Sequence, residues 1–247
     1  MPYPRSTVLV AMLLGIACRT GGPASPPAVP AARAAAVEGQ FSAAVRWVRA
    51  SAEHRAVFLE VYRWATAHVE REAATLEPGT WGVVVDADET VIDNTLYQVE
   101  REREGLPFSP ESWRAWTQRR EAVPLPGALA FLSRVRALGG RIAVVTNRRE
   151  AECPDTEAVF RAHGLAWDVM LCRPDQGPGD KTGRLRAVER GTTGADLPPL
   201  EIVAIVGDNI QDFPGATQAI RDESDAAFAE FGGRFFMLPN PMYGSWE

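Results

Sequence analysis

Lysine is almost missing from this chain. Arginine carries nearly all the positive charge, and Lys181 is the only lysine in 247 residues that include 26 Lys and Arg together. Codon bias accounts for the shortage itself. It still gives weight to the survivor, because a compact ammonium does work that a planar guanidinium cannot. Histidine is nearly as scarce. His54, His68 and His163 lie far apart and no two have metal-ligand spacing, so all three read as packing or surface residues. Net positive charge is absent too: the formal charge is -6. A dedicated nucleic-acid binder would usually show a basic stripe, so no nucleic-acid polymer is expected as a partner. Cysteine is limited to Cys18, Cys153 and Cys172.

Hydrophobic residues make up 46% of the chain, enough for a sizeable core. The length suits one α/β domain with extra helices, or at most two small domains. Near the start, Arg5 precedes an apolar run from Ser6 to Ala17 that ends at Cys18. That run falls short of the roughly 20 residues a membrane-spanning helix needs. It fits the apolar centre of a secretory signal, and residues 1–17 are read as one. A cysteine directly after such a run resembles a bacterial lipobox, although Gly15 stands where a leucine is expected. Cys18 is thus a candidate for lipidation, with an ordinary cleaved signal as the alternative. Residues 18–40 are rich in Pro, Ala and Gly and read as a flexible tether. In an exported protein Cys153 and Cys172 could pair; the alternative is one loop thiol and one buried strand thiol.

From 41 to 77 the apolar residues Val45, Val48, Ala52, Val57, Val61, Trp64 and Val69 recur at helical spacing, and Pro78-Gly79 ends the pattern. Two helices are expected there, joined between Ala50 and Glu53. "WGVVVDAD" follows as a nearly continuous apolar strand, as a parallel strand buried on both faces should be. "GRIAVVTN", "WDVMLCRP", "LEIVAIVGDN" and "GRFFMLPNP" repeat the pattern, each after a helical run; the last such run covers 216–231. Strand and helix alternate, so the expected fold is a doubly wound, Rossmann-like α/β parallel sheet within a domain spanning 41–247. A small helical cap is expected from the N-terminal helices and from an insert at 95–125. That insert carries Tyr97, Phe108, Trp113 and Trp116 and is too long for a tight connection. Its aromatics either cover a planar ligand or pack the insert against the domain.

In such sheets ligands bind beyond the carboxyl ends of the strands. Those ends carry Asp86 and Asp88, then Thr146 and Asn147, and then Asp208 and Asp212, with Lys181 after the third strand. Carboxylates this close repel unless a cation sits among them. An oxygen-only donor set points to Mg²⁺.

These segments resemble a known family. "DADET", "VVTN", Lys181 and "GDNIQD" are similar to the four motifs of the haloacid dehalogenase superfamily of phosphohydrolases. "VVVDADETVIDNTLYQ", "SAEHRA", "VTNR", "GDNIQDF" and "LPNPMYGSWE" narrow the resemblance to class C acid phosphatases, the lipoprotein e(P4) family of 5'-nucleotidases. The resemblance implies an exported phosphomonoesterase of the bacterial cell envelope, as an outer-membrane lipoprotein or a periplasmic enzyme, and is compatible with a homodimer. Asp86 would be the nucleophile that forms an aspartyl-phosphate. Mg²⁺ would be held by Asp86, the backbone carbonyl of Asp88 and Asp208, with Asp212 orienting its water from behind. Asp88 would protonate the leaving oxygen and then take a proton from water. A carboxyl group set among negative charges holds its proton more readily, which suits a donor at mildly acidic pH. The acid at 88 also favours a phosphatase over a dehalogenase. Thr146, Asn147 and Lys181 would bind the phosphoryl oxygens. Thr90 would buttress the loop and Asp93 would play a structural role. The implied substrate is a nucleoside 5'-monophosphate or similar small phosphomonoester, with Tyr97, Trp113 and Tyr243 as stacking candidates. A phosphotransferase of the same superfamily and a non-catalytic nucleotide-binding lipoprotein are the alternatives. A phospho-receiver domain fits less well, given the leader and the second aspartate on the same strand.

Overall fold

The computed structural model describes residues 41–247. The leader, the tether and Cys18 lie outside the described residues. Two serines divide the first helical stretch. Ser42 caps α1 (Ala43–Ala50) by accepting from the Val45 N–H. Ser51, in extended conformation, caps α2 (Ala52–Ala73) by accepting from the His54 N–H. A side-chain acceptor at such a position satisfies an amide that the helix cannot.

The sheet is parallel throughout, in the order β5-β4-β1-β6-β7. Its strands are β1 (Trp81–Val85), β4 (Arg141–Arg149), β5 (Val169–Arg173), β6 (Glu201–Gly207) and β7 (Phe235–Met237). β1 is central and wholly buried, which its unbroken apolar sequence requires. Successive side chains still alternate between faces. Val83 and Val85 join Phe58, Val61, Tyr62, Ala65 and Val69 of α2, and Phe131 and Leu132 of α5 (Ala128–Ala137). Val84 joins Leu185 and Val188 of α7 (Thr182–Arg190) on the other face. Helices therefore flank both sides of the sheet. α6 (Cys153–Ala162) adds Val159 and Phe160 to the first face. Cys153, at the start of α6, forms a disulfide with Cys172 of β5.

The cap is smaller than the sequence suggests. Its floor is a two-stranded antiparallel ribbon, β2 (Ile92–Asp93) with β3 (Val123–Pro124). Above it stand α3 (Thr95–Glu104) and α4 (Pro110–Arg119). α1 packs on α3, but α2 does not belong to the cap. Its apolar stripe packs against the sheet and α5, and His68 bonds the Val203 carbonyl through Nε2 at 2.9 Å. His54 is also buried, edge-on to Trp47 and beside Phe58.

The expected helix over 216–231 is absent. Two short 3-10 turns, Gln218–Asp222 and Asp225–Phe228, replace it, and neither buries a residue. Without an apolar stripe facing the core, nothing offsets the cost of ordering a longer helix. Phe231 instead packs on Phe213 and Phe235 and so leads the chain into β7.

Candidate active site

Three strand ends and one helix start build the site. β1 delivers Asp86, whose N–H donates to the Val206 carbonyl and continues the parallel ladder. The chain then turns tightly: the Val91 and Ile92 amides both donate to the Ala87 carbonyl, and Glu89 sits at φ 50°. β6 ends at Gly207, and Asp208 follows it. The 3-10 turn Ile210–Asp212 then folds Asp212 back until its carboxylate accepts from the Asn209 N–H at 2.9 Å. A Cβ on residue 207 would lie 2.3 Å from Asp212 Oδ2, so only glycine permits this approach. Lys181, at the start of α7, is 3% exposed.

Asp86, Asp208 and Asp212 offer carboxylate oxygens that all lie within 4.8 Å of one another. Lys181 Nζ pairs with Asp86 and with Asp212, the latter at 2.7 Å. Asp208 accepts from Thr90 Oγ1 at 3.2 Å and from Asn240 Nδ2 at 2.8 Å. Burial pushes the Asp86 carboxyl up to about 7 against the pull of Lys181, and the charges of Asp212 and Asp88 add to the rise. Burial also raises Asp208, with Asp212 and Asp86 adding to it. Two buried carboxylates and a half-buried one beside a single ammonium are short of positive charge. The donors are all oxygens, so the cluster fits a hard divalent cation. Asp212 lies in this cluster together with the other two.

Asp88 lies outside this three-carboxylate cluster. The Arg148 guanidinium grips it from β4, so its surroundings are not the wholly negative ones expected from the sequence. Arg148 belongs to the quoted "VTNR", but the sequence pattern assigns it no role. Thr146 is fully buried, and its hydroxyl accepts from the Arg148 N–H at 3.1 Å. Its carbonyl accepts from Arg184 of α7, whose other terminal nitrogen donates to Asn147 Oδ1 at 2.7 Å. Arg184 is a second partner that the sequence does not flag; it ties β4 to the start of α7. Asp93 accepts from the Thr95 N–H at 2.7 Å and plays the expected structural part.

A cleft of about 540 Å³ opens over these groups, reaching Asp86, Asp88, Asn147, Lys181, Asp208 and Asp212. Its outer wall is aromatic: Phe108, Trp113 and Tyr243, with Met242 beside them. Phe108 is 62% exposed and was not among the stacking candidates. Tyr97 was, but it is 2% exposed and does not line the cleft. Its ring packs edge-on to Trp113 and its hydroxyl bonds Ser112 at 2.9 Å. It supports the wall from behind, because a tyrosine on the inner face of α3 can reach the core but not the cleft. The Tyr243 hydroxyl donates to the buried Glu89 carboxylate. Burial, then the charges of Asp88 and Asp208, hold Glu89 well above the usual carboxyl range.

The sequence matches the model of the family described as HAD superfamily, subfamily IIIB (Acid phosphatase), over residues 27–246. The class C acid phosphatase from Bacillus anthracis with tungstate bound is similar at a TM-score of 0.74 and 26% identity, covering 85% of this chain and 87% of that one. A second structure of the class C acid phosphatase from that organism gives a TM-score of 0.72 at 28% identity, with the same coverage. Acid phosphatase 1 of Solanum lycopersicum is 27% identical over 162 residues, which is 65% of this chain. The match spans 57% of that relative's length.

Proposed function

The chain belongs to subfamily IIIB of the HAD superfamily, the acid phosphatases, and from that premise we propose that it is an exported, Mg²⁺-dependent phosphomonoesterase acting on nucleoside 5'-monophosphates or similar small esters. One observation carries the reading. A nucleophile-grade carboxylate, a buried ammonium and two further carboxylates converge in one cleft, with a separate acid, Asp88, at its side.

Asp86 attacks phosphorus and forms an aspartyl-phosphate. Asp86, Asp208 and Asp212 would hold Mg²⁺, which would supply the positive charge that lets a carboxylate approach an anionic ester. Lys181 orients Asp86 through their ion pair and, with Asn147, faces the phosphoryl oxygens. Asp88 gives its proton to the leaving oxygen and recovers one from the water that opens the intermediate. Thr146 holds the β4 end in shape beneath them, through its bonds to Arg148 and Arg184. The tungstate in the Bacillus anthracis relative supports an oxyanion-binding cleft, since tungstate shares the shape and charge of phosphate. Phe108, Trp113 and Tyr243 form the slot for a planar base. Export rests on the leader sequence.

Phosphate release tests the proposal. The purified domain is offered AMP, nicotinamide mononucleotide and p-nitrophenyl phosphate across pH 5 to 8, with Mg²⁺ or EDTA, beside Asp86→Asn. Cation-dependent turnover that disappears in the variant is expected. A folded, cation-loaded protein that turns over none of the three would leave only the ligand-binding lipoprotein.

A further inference from the structure

We propose that Arg148 is a positioning residue for this reaction: it anchors Asp88 through one carboxyl oxygen and leaves the other to carry the transferred proton. The inference rests on the reading of Asp88 as proton donor. Arg148 has a side chain that is only 1% exposed, at the end of β4. Each of its side-chain nitrogens is engaged. Nε donates to Asp88 Oδ1 at 2.9 Å and Oδ2 at 3.1 Å. Nη2 donates to Asp88 Oδ1 at 2.7 Å and Asn94 Oδ1 at 3.0 Å. Nη1 donates to Thr156 Oγ1 at 3.0 Å. Asn94, itself fully buried, donates from Nδ2 to Asp88 Oδ1 at 2.8 Å and is fixed by Trp116 Nε1 at 2.8 Å.

The two oxygens of Asp88 are therefore unequal. Oδ1 receives three N–H donors, while Oδ2 receives one, and that one is the longest of the four contacts. An oxygen crowded by donors has no lone pair left for a proton. The proton must reside on Oδ2. As Asp86 bonds to phosphorus and the phosphorus–ester oxygen bond breaks, the Oδ2 proton passes to the departing oxygen. When water attacks the aspartyl-phosphate, Oδ2 takes one of its protons and inorganic phosphate leaves. Arg148 borders the cleft, 5.5 Å from the Trp113 ring centre, with its three nitrogens already engaged by Asp88, Asn94 and Thr156.

Leaving-group dependence separates this role from a merely structural one. Phenyl phosphate needs its leaving oxygen protonated; 2,4-dinitrophenyl phosphate releases a stable anion and does not. In a single turnover, Arg148→Gln should slow release of phenol from phenyl phosphate by about 100-fold, while changing the burst rate of dinitrophenolate release by less than about 10-fold; breakdown of the aspartyl-phosphate, common to both esters, is read separately. Inhibition by inorganic phosphate should stay as it is. In the Asp88→Asn background, adding Arg148→Gln should cost no further activity on phenyl phosphate. That double variant removes both charges of the Asp88–Arg148 pair together, and it carries the comparison should the single one unfold. Equal losses on both esters, weakened phosphate inhibition, or multiplying losses in the double variant would each overturn the proposal. If the wild type hydrolysed neither ester, the phosphatase reading itself would fall, and this inference with it.

Discussion

Removing divalent cations and raising the pH should loosen this fold, and Asp86 sets the size of the effect. Its carboxyl titrates at 3.8 without burial and at about 7 in the folded chain. Between those values the folded state binds a proton that the unfolded state does not. Stability from this group is thus complete below the lower value and is lost as pH rises through the upper one. The gap corresponds to on the order of 4 kcal/mol, with roughly 3 of that falling between pH 5 and 8. Asp208 and Glu89 are raised by burial too and act in the same direction. For a domain of this size the loss corresponds to roughly 6–12 °C in Tm. The assay is thermal unfolding of EDTA-treated protein at several pH values, beside Asp86→Asn, which removes the buried charge and should flatten the profile. Mg²⁺ at about 100 times its Kd should restore about 2.7 kcal/mol, and its binding should release protons near neutral pH. Parallel Tm profiles for wild type and Asp86→Asn, or a Mg²⁺ shift no larger at pH 8 than at pH 5, would refute this account of the cluster.

Gly207→Ala should fold but need much more cation. Its new Cβ would push Asp212 aside, and a displaced ligand or its support usually costs about 10–100-fold in metal affinity; an unchanged Mg²⁺ dependence of kcat would contradict the close approach. Phe108→Ala and Trp113→Ala should each raise KM for AMP by about 5-fold or more, from stacking worth about 1–3 kcal/mol, and barely affect glycerol phosphate. A matching loss on both substrates would remove these rings from the base slot.

What could be read from the sequence followed how much each residue stood out from its surroundings. The strands were legible because a parallel strand buried on both faces tolerates few polar residues, so "WGVVV" ends visibly at Asp86. Lys181 was legible for the opposite reason: the chain has no other lysine. Arg148 is held by its partners no less firmly than Lys181, and it is just as buried. Yet one arginine among so many carries no mark, and only the fold shows that this one faces Asp88 from the neighbouring strand. The same limit explains Tyr97 and Phe108. Both sit in an insert whose aromatic content was plain, but which ring lines the cleft depends on how α3 turns against α4, and no local pattern sets that angle. The 216–231 segment failed differently. Its composition allows a helix, but helices of this length persist only when a face is buried, and here none is. Sequence patterns report what must be buried more reliably than what is left for the chain to settle by contact. At this site the environment of Asp88 was of the second kind, which is why the arginine that defines it emerged only once the fold had brought Asp88, Asn94 and Thr156 around it.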